Sequence, residues 1–90
     1  MQVRWTQPAA NDLAEISRYI RKDNPSTARS VAKTLFDAAN SLDRMPDRGR
    51  MGRIPGTREL MVATLPYIIV YEAGKEAVHI LHIGHGARDW

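Results

Sequence analysis

The sequence predicts an α+β fold: an N-terminal strand, a helical hairpin, then a three-stranded antiparallel meander, in the order β-α-α-β-β-β. Three observations predict it. Apolar residues recur at three- and four-residue steps from Ala9 to Leu42, the spacing of a helix with one buried stripe. The pair Asn24-Pro25 divides that stretch in two. Beyond residue 58, three runs rich in β-branched and aromatic residues follow one another. Elements in this order pack a helical hairpin on one side of a mostly antiparallel sheet.

Val3-Arg4-Trp5-Thr6 forms the first strand and stops ahead of Pro8. From Pro8 a helix carries Ala9, Leu13, Ile16 and Ile20 on one stripe. Asn11, Asp12, Glu15, Arg18, Arg21 and Lys22 fall mostly outside it, and the helix ends near Lys22. Asn24 can accept from free backbone N–H groups, and Pro25 fits the first helical position. The second helix presents Ala28, Val31, Ala32, Leu35, Ala39 and Leu42, a narrow alanine-rich face suited to close packing. Pro46 is expected to close it.

Asp47 to Gly56 mixes Gly49, Gly52, Pro55 and Gly56 with Arg48, Arg50 and Arg53, the composition of an exposed basic loop. Strands are expected over Glu59–Thr64, Tyr67–Tyr71 and Ala77–Ile83, with Glu72-Ala73-Gly74-Lys75-Glu76 turning between the last two. Ile68-Ile69-Val70 is continuously apolar and reads as a central strand. One of its faces is expected under the helices and the other under a further cover, for which a bound partner segment is a candidate.

The 90 residues suit one compact domain, 1–90. With 43% hydrophobic and 26% charged residues, intrinsic disorder is not expected. A domain this small hides only about 60 to 65% of its unfolded surface, so a bound partner should raise its stability. The absence of cysteine excludes disulfides, thiolate zinc sites and cysteine nucleophiles. No run approaches the ~18 apolar residues of a membrane span, and no secretory leader is visible, so a cytoplasmic protein with no membrane contact is expected. A net charge of +3 and a pI near 9.7 permit contact with RNA, DNA or an acidic protein.

Three segments together resemble the plasmid-stabilisation toxins of the RelE/ParE superfamily: Arg50 to Leu60, Leu65 to Tyr71, and Ile80 to Trp90. Trp5, the start at Ala9 to Leu13, and Tyr19-Ile20 ahead of Asn24-Pro25 extend the resemblance over nearly the whole chain. It implies a toxin of a type II toxin–antitoxin system, inhibiting growth unless neutralised by a cognate antitoxin, ParD-like or RelB-like. That antitoxin would wrap the toxin, supply the cover for the Ile68 strand, and bind operator DNA itself. Relatives divide into ParE-like inhibitors of DNA gyrase, which are not enzymes, and RelE-like endoribonucleases, which cut messenger RNA in the ribosome without a metal. A third reading is a non-toxic member acting only in an autoregulatory antitoxin complex.

In nuclease relatives a strand motif Arg-Leu-Val-Tyr presents an arginine to the scissile phosphate; the matching residues here are Ile68-Ile69-Val70-Tyr71. An isoleucine cannot donate to a phosphoryl oxygen, which favours the ParE-like branch. If the chain were a nuclease, Arg50, Arg53, Arg58, His82 and His85 would be its set. Imidazole titrates near 6.5, which suits acid–base work. His82 could instead be a buried, hydrogen-bonded sheet residue, and His85-Gly86 a turn. As a target-binding surface, Arg48, Arg50, Arg53, Arg58, Arg88 and Trp90 are the candidates, with Trp90 alternatively packing beside Trp5. Arg58 and Glu59 could instead form an ion pair, and Arg48 simply solubilise the loop. Tyr67 and Tyr71 share a strand face and are expected in the core. His79 is expected at the surface, and three histidines without paired carboxylates make no zinc site. No cofactor is expected.

Overall fold

A computed structural model of the chain describes residues 1–86. Its elements are β1 (Gln2–Trp5), α1 (Gln7–Arg21), α2 (Pro25–Asn40), a 3-10 turn (Ser41–Asp43), β2 (Arg50–Met51), β3 (Arg58–Met61), β4 (Tyr67–Ala73) and β5 (Ala77–His85). The expected α+β order holds, with a short strand added inside the basic loop. Five strands form one sheet in the order β1-β5-β4-β3-β2. β1 runs parallel to β5, Val3 lying opposite Val78 and Trp5 opposite Ile80; the remaining pairs are antiparallel.

Local chemistry fixes both helix starts. The Asn24 side chain accepts from Thr27 N at 3.1 Å, and Pro25 opens α2. At α1 the cap is Thr6, whose hydroxyl accepts from Ala9 N at 3.4 Å and donates to the Ile80 carbonyl at 2.7 Å. One side chain therefore ends β1, starts α1 and ties both to β5. Pro46 does not close α2: the helix ends at Asn40 and tightens into the 3-10 turn, where the Ser41 hydroxyl donates to the Ala38 carbonyl at 2.6 Å.

The core lies between the hairpin and one sheet face. Ala9, Leu35, Ala39 and Leu42 meet Leu60, Val62, Ile69, Tyr71, Val78, Ile80 and Ile83. Val3, Trp5, Leu13, Ile16 and Val31 pack at its margin. Trp5 stacks on Phe36 with ring centroids 5.8 Å apart, and its indole N–H donates to the Asn40 side chain at 3.3 Å.

Alternation along β4 turns Ile69 and Tyr71 toward the helices and Ile68 and Val70 away from them. Ile68 and Val70 are nevertheless only 3% and 1% exposed. The chain buries both faces of its central strand, so the expected need for a bound antitoxin segment as cover is corrected. Ile68 lies opposite Gly84, and a Cβ on Gly86 would sit 3.3 Å from its side chain, so two glycines let backbone approach it.

Strand bounds differ from expectation, β3 ending sooner and β4 and β5 running on. β3 stops at Met61 because the chain turns at once: Leu65 N donates to Val62 O at 3.1 Å, and Thr64 takes φ 71°. β4 and β5 run longer, leaving only Gly74 to Glu76 between them, and Gly74 N donates to Ala77 O at 2.9 Å. Val70 pairs with His82 and Tyr71 with Ile80, which makes Leu81 the extra residue of a β-bulge.

Candidate functional site

The basic segment is built from the core outward. The hydroxyl of fully buried Tyr71 donates to the Pro46 carbonyl at 2.7 Å and accepts from Gly49 N at 2.8 Å. Gly49 has no room for a side chain: a Cβ there would lie 2.8 Å from the Tyr71 ring and hydroxyl. Beyond it, β2 pairs with β3, Arg50 opposite Glu59 and Met51 opposite Arg58. The hairpin closes where Gly52 N donates to Thr57 O at 2.8 Å and the Thr57 hydroxyl to Ile54 O at 2.6 Å. The segment expected to be an open loop is thus pinned at both ends.

Glu59 organises this hairpin. Its side chain is 5% exposed, and Oε1 accepts from Arg50 Nη2 at 2.9 Å and from Arg50 Nε at 3.2 Å. Oε2 accepts from Arg53 N at 3.1 Å. A carboxylate this buried requires such donors, because unpaired burial of a charge costs several kcal/mol, on the order of the whole domain's stability. The Arg58–Glu59 ion pair weighed as an alternative from the sequence does not form, since consecutive strand residues point to opposite faces. Arg58 turns instead to the Gly49 carbonyl at 2.8 Å and to Asp47 Oδ1 at 3.5 Å. Arg48 donates to the Ser41 hydroxyl at 2.7 Å. The role of Glu59 becomes legible only once β2 is placed, because its partner Arg50 stands nine residues away across the hairpin.

The histidines are dispersed along β5. His82 is exposed rather than buried, and its Nδ1 lies 3.2 Å from Asp12 Oδ2, which also accepts from Ile83 N at 3.0 Å. Asp12, on α1, thereby holds the part of β5 that β1 does not reach. His85 ends β5 in an edge-on contact with Tyr67, ring centroids 5.7 Å apart, and the turn comes one residue later at Gly86. His79 is half-buried and stands across from Arg4 and Glu72. Among the described residues no three His, Asp or Glu side chains gather as a metal-ligand set. An open pocket of about 310 Å³ is lined by Arg4, Gly74, Lys75, Glu76, Ala77 and His79, none of them a candidate of the basic segment.

One register row crosses the sheet through Arg50, Glu59, Val70 and His82. Arg50 and His82 therefore share a sheet face, three strand spacings or roughly 14 Å apart at the backbone. Between them lie an anion, Glu59, and a buried aliphatic, Val70. Arg58 lies on the opposite face, across from Tyr71. Position 68, in the next row, is a buried isoleucine. Arg88 and Trp90 lie outside the described residues.

Comparison with known proteins places this architecture, a helical hairpin on one face of a five-stranded sheet with a pinned basic β-hairpin at its edge, among the toxins of the RelE/ParE superfamily. The family model describing the ParE toxin of the type II toxin–antitoxin system parDE matches residues 3–90. The chain belongs to that family. It is 42% identical over 89 residues to the protein Y4kP of Sinorhizobium fredii, covering 99% of this chain and 92% of that one. It is also 42% identical over 87 residues to Toxin RelE2 of Caulobacter vibrioides, covering 97% of each. Among solved structures, the chromosomal ParDE system of P. aeruginosa superposes with a TM-score of 0.89 at 24% identity, over 94% of this chain and 95% of that one. The RelBE2 complex of Mycobacterium tuberculosis gives a TM-score of 0.60 at 26% identity, over 93% and 95%.

Proposed function

We propose that the chain is a ParE-like toxin that inhibits DNA gyrase in the cytoplasm and is silenced by a cognate antitoxin. The observation that carries this reading is the disposition of charge on the sheet. Cutting RNA calls for cations preorganised around one scissile phosphate. Here Arg50 is held by Glu59, Arg58 by the Gly49 carbonyl on the other face, and position 68 offers a buried aliphatic side chain. The family model, described as that of the ParE toxin, supports the same branch.

The outer surface of the β2–β3 hairpin suits a protein target. Met51 and Ile54 are 71% and 50% exposed, flanked by Arg48 and Arg53, and Met and Arg are residue types enriched in protein interfaces. In this proposal Arg50 and Arg58 shape that surface, and Arg48, Arg53, Met51 and Ile54 meet the target, with Arg88 and Trp90 as further contacts. The antitoxin partner is supported by the structural relatives, which are toxin–antitoxin complexes.

A second reading, a RelE-like endoribonuclease, draws on the Asp12–His82 contact, an imidazole oriented by a carboxylate, and on the name of the Caulobacter relative. Purified protein should stop gyrase supercoiling in proportion to its concentration while leaving transcripts intact, and an excess of antitoxin should restore supercoiling. Codon-phased cuts in ribosome-bound messenger, with supercoiling unaffected, would replace the first reading by the second.

A further inference from the structure

The basic excess of this chain is concentrated outside the arginine-rich segment. Residues 18–33 hold five cations, Arg18, Arg21, Lys22, Arg29 and Lys33, against one anion, Asp23, a net charge of +4. The whole chain nets +3, so everything outside this stretch nets −1. The structure places the stretch at the junction of α1 and α2, where the hairpin turns.

Arg18 is paired with Glu15, and Lys33 with Asp37. Arg21, Lys22 and Arg29 are exposed and meet no acceptor among the described residues. Arg21 and Lys22 lie away from the apolar stripe of α1, because they follow Arg18 at three and four residues on the outer face. Cations at a helix C-terminus complement the α1 dipole. The same end abuts the positive start of α2, whose first turn contains no acid. Arg29 and Lys33 are like charges four apart, an arrangement that disfavours the helix. Folding alone does not account for a cationic cluster at this point.

We infer that the α1–α2 junction is a phosphate-backbone contact surface, through which the toxin binds duplex DNA without sequence preference. The cations stand on two helices that expose two aromatics, Tyr19 beside them and Phe36 one turn past Lys33, and Phe36 is already stacked on Trp5. A protein partner would want an apolar centre, and a single strand would want a series of stacking rings. A duplex needs neither, because its uniform charge is met by cations alone. The choice of DNA over RNA rests on the gyrase reading above, since a gyrase-directed protein works against a DNA duplex.

Fluorescence anisotropy of the purified chain with a labelled duplex of about 24 base pairs tests the inference directly, with no gyrase present. With about three phosphates engaged, affinity should fall roughly 40-fold between 50 and 200 mM salt. Arg21→Gln/Lys22→Gln/Arg29→Gln should weaken binding at least tenfold and flatten the salt slope, and Arg48→Gln/Arg53→Gln should change it less than threefold. Circular dichroism confirms that each variant is folded. Absence of duplex binding at 50 mM salt, an equal loss in the Arg48/Arg53 variant, or preference for single-stranded RNA or an acidic peptide over the duplex would overturn it. A supercoiling assay run alongside keeps the two proposals apart. Duplex binding without gyrase inhibition refutes the gyrase reading and sustains this one, and inhibition without duplex binding does the reverse.

Discussion

Between Asp47 and Glu59 the chain carries four arginines, and between Arg18 and Lys33 it carries five cations. In the first region the cations have partners within the protein: Arg50 grips a buried carboxylate, Arg58 a backbone carbonyl, and Arg48 a hydroxyl at the surface. In the second, three of the five meet no protein acceptor among the described residues. The difference arises from the backbone beneath. An irregular segment leaves carbonyls such as those of Asp47 and Gly49 within a guanidinium's reach, whereas the outer face of a helical hairpin turns long side chains toward solvent. Charge density along a sequence therefore does not say which cations face a partner.

The largest expected effect lies in the first region. Glu59→Ala should destabilise the chain by about 2–3 kcal/mol, because three hydrogen bonds to a buried carboxylate are lost. Arg50 is 57% exposed at its side chain and can be rehydrated, which keeps the loss below that of a fully buried pair. Thermal unfolding should shift down by about 10–20 °C for a domain of this size. A shift under about 3 °C would mean that Arg50 and Glu59 belong with the idle surface pairs, and the contrast between the two regions would weaken.

Tyr71→Phe comes next. Removing the hydroxyl leaves Gly49 N and the Pro46 carbonyl without their partner in a buried place, a cost of about 1–2 kcal/mol. Hydrogen exchange at Gly49 should accelerate more than exchange in α2, which localises the loss to the basic segment. Asp12→Ala should cost about 1 kcal/mol or less, as a partly exposed carboxylate gives up Ile83 N and His82. If messenger cleavage existed and vanished in this variant with stability retained, the RelE-like reading would gain the carboxylate that orients its His82 imidazole.

How far the sequence could be read follows the same division. The helical hairpin was legible because its causes are local: Asn24-Pro25 caps and opens α2, and Ala28, Leu35, Ala39 and Leu42 return at helical spacing and are all buried. The strand β2 was not legible. Arg50-Met51 among glycines has no strand signature, and only its opposition to Glu59 and Arg58, nine and seven residues away, makes it one. Parallel pairing of β1 with β5 joins Val3 to Val78 across the whole domain, which no spacing rule specifies. At the candidate site, the identity of the basic residues was readable but their partners were not. Alternation forbids Arg58 from meeting Glu59 on one face, and that became visible only once the strand was placed.

The smallest effect discriminates most sharply between the regions. Arg29→Glu reverses a charge at an exposed helix position and replaces a like-charge pair with a Glu four residues ahead of Lys33, the favourable orientation for such pairs. The change should be neutral or stabilising by about 0.3–0.8 kcal/mol. Arg58→Glu is the same substitution in charge and size, yet it removes the donor to the Gly49 carbonyl and sets an anion beside Asp47. It should destabilise by about 1–3 kcal/mol. Urea denaturation of the two variants measures the difference on one scale. Were Arg29→Glu to cost as much as Arg58→Glu, the hairpin cation would have an intramolecular role, and an outward-facing, partner-seeking surface at the α1–α2 junction could no longer be maintained.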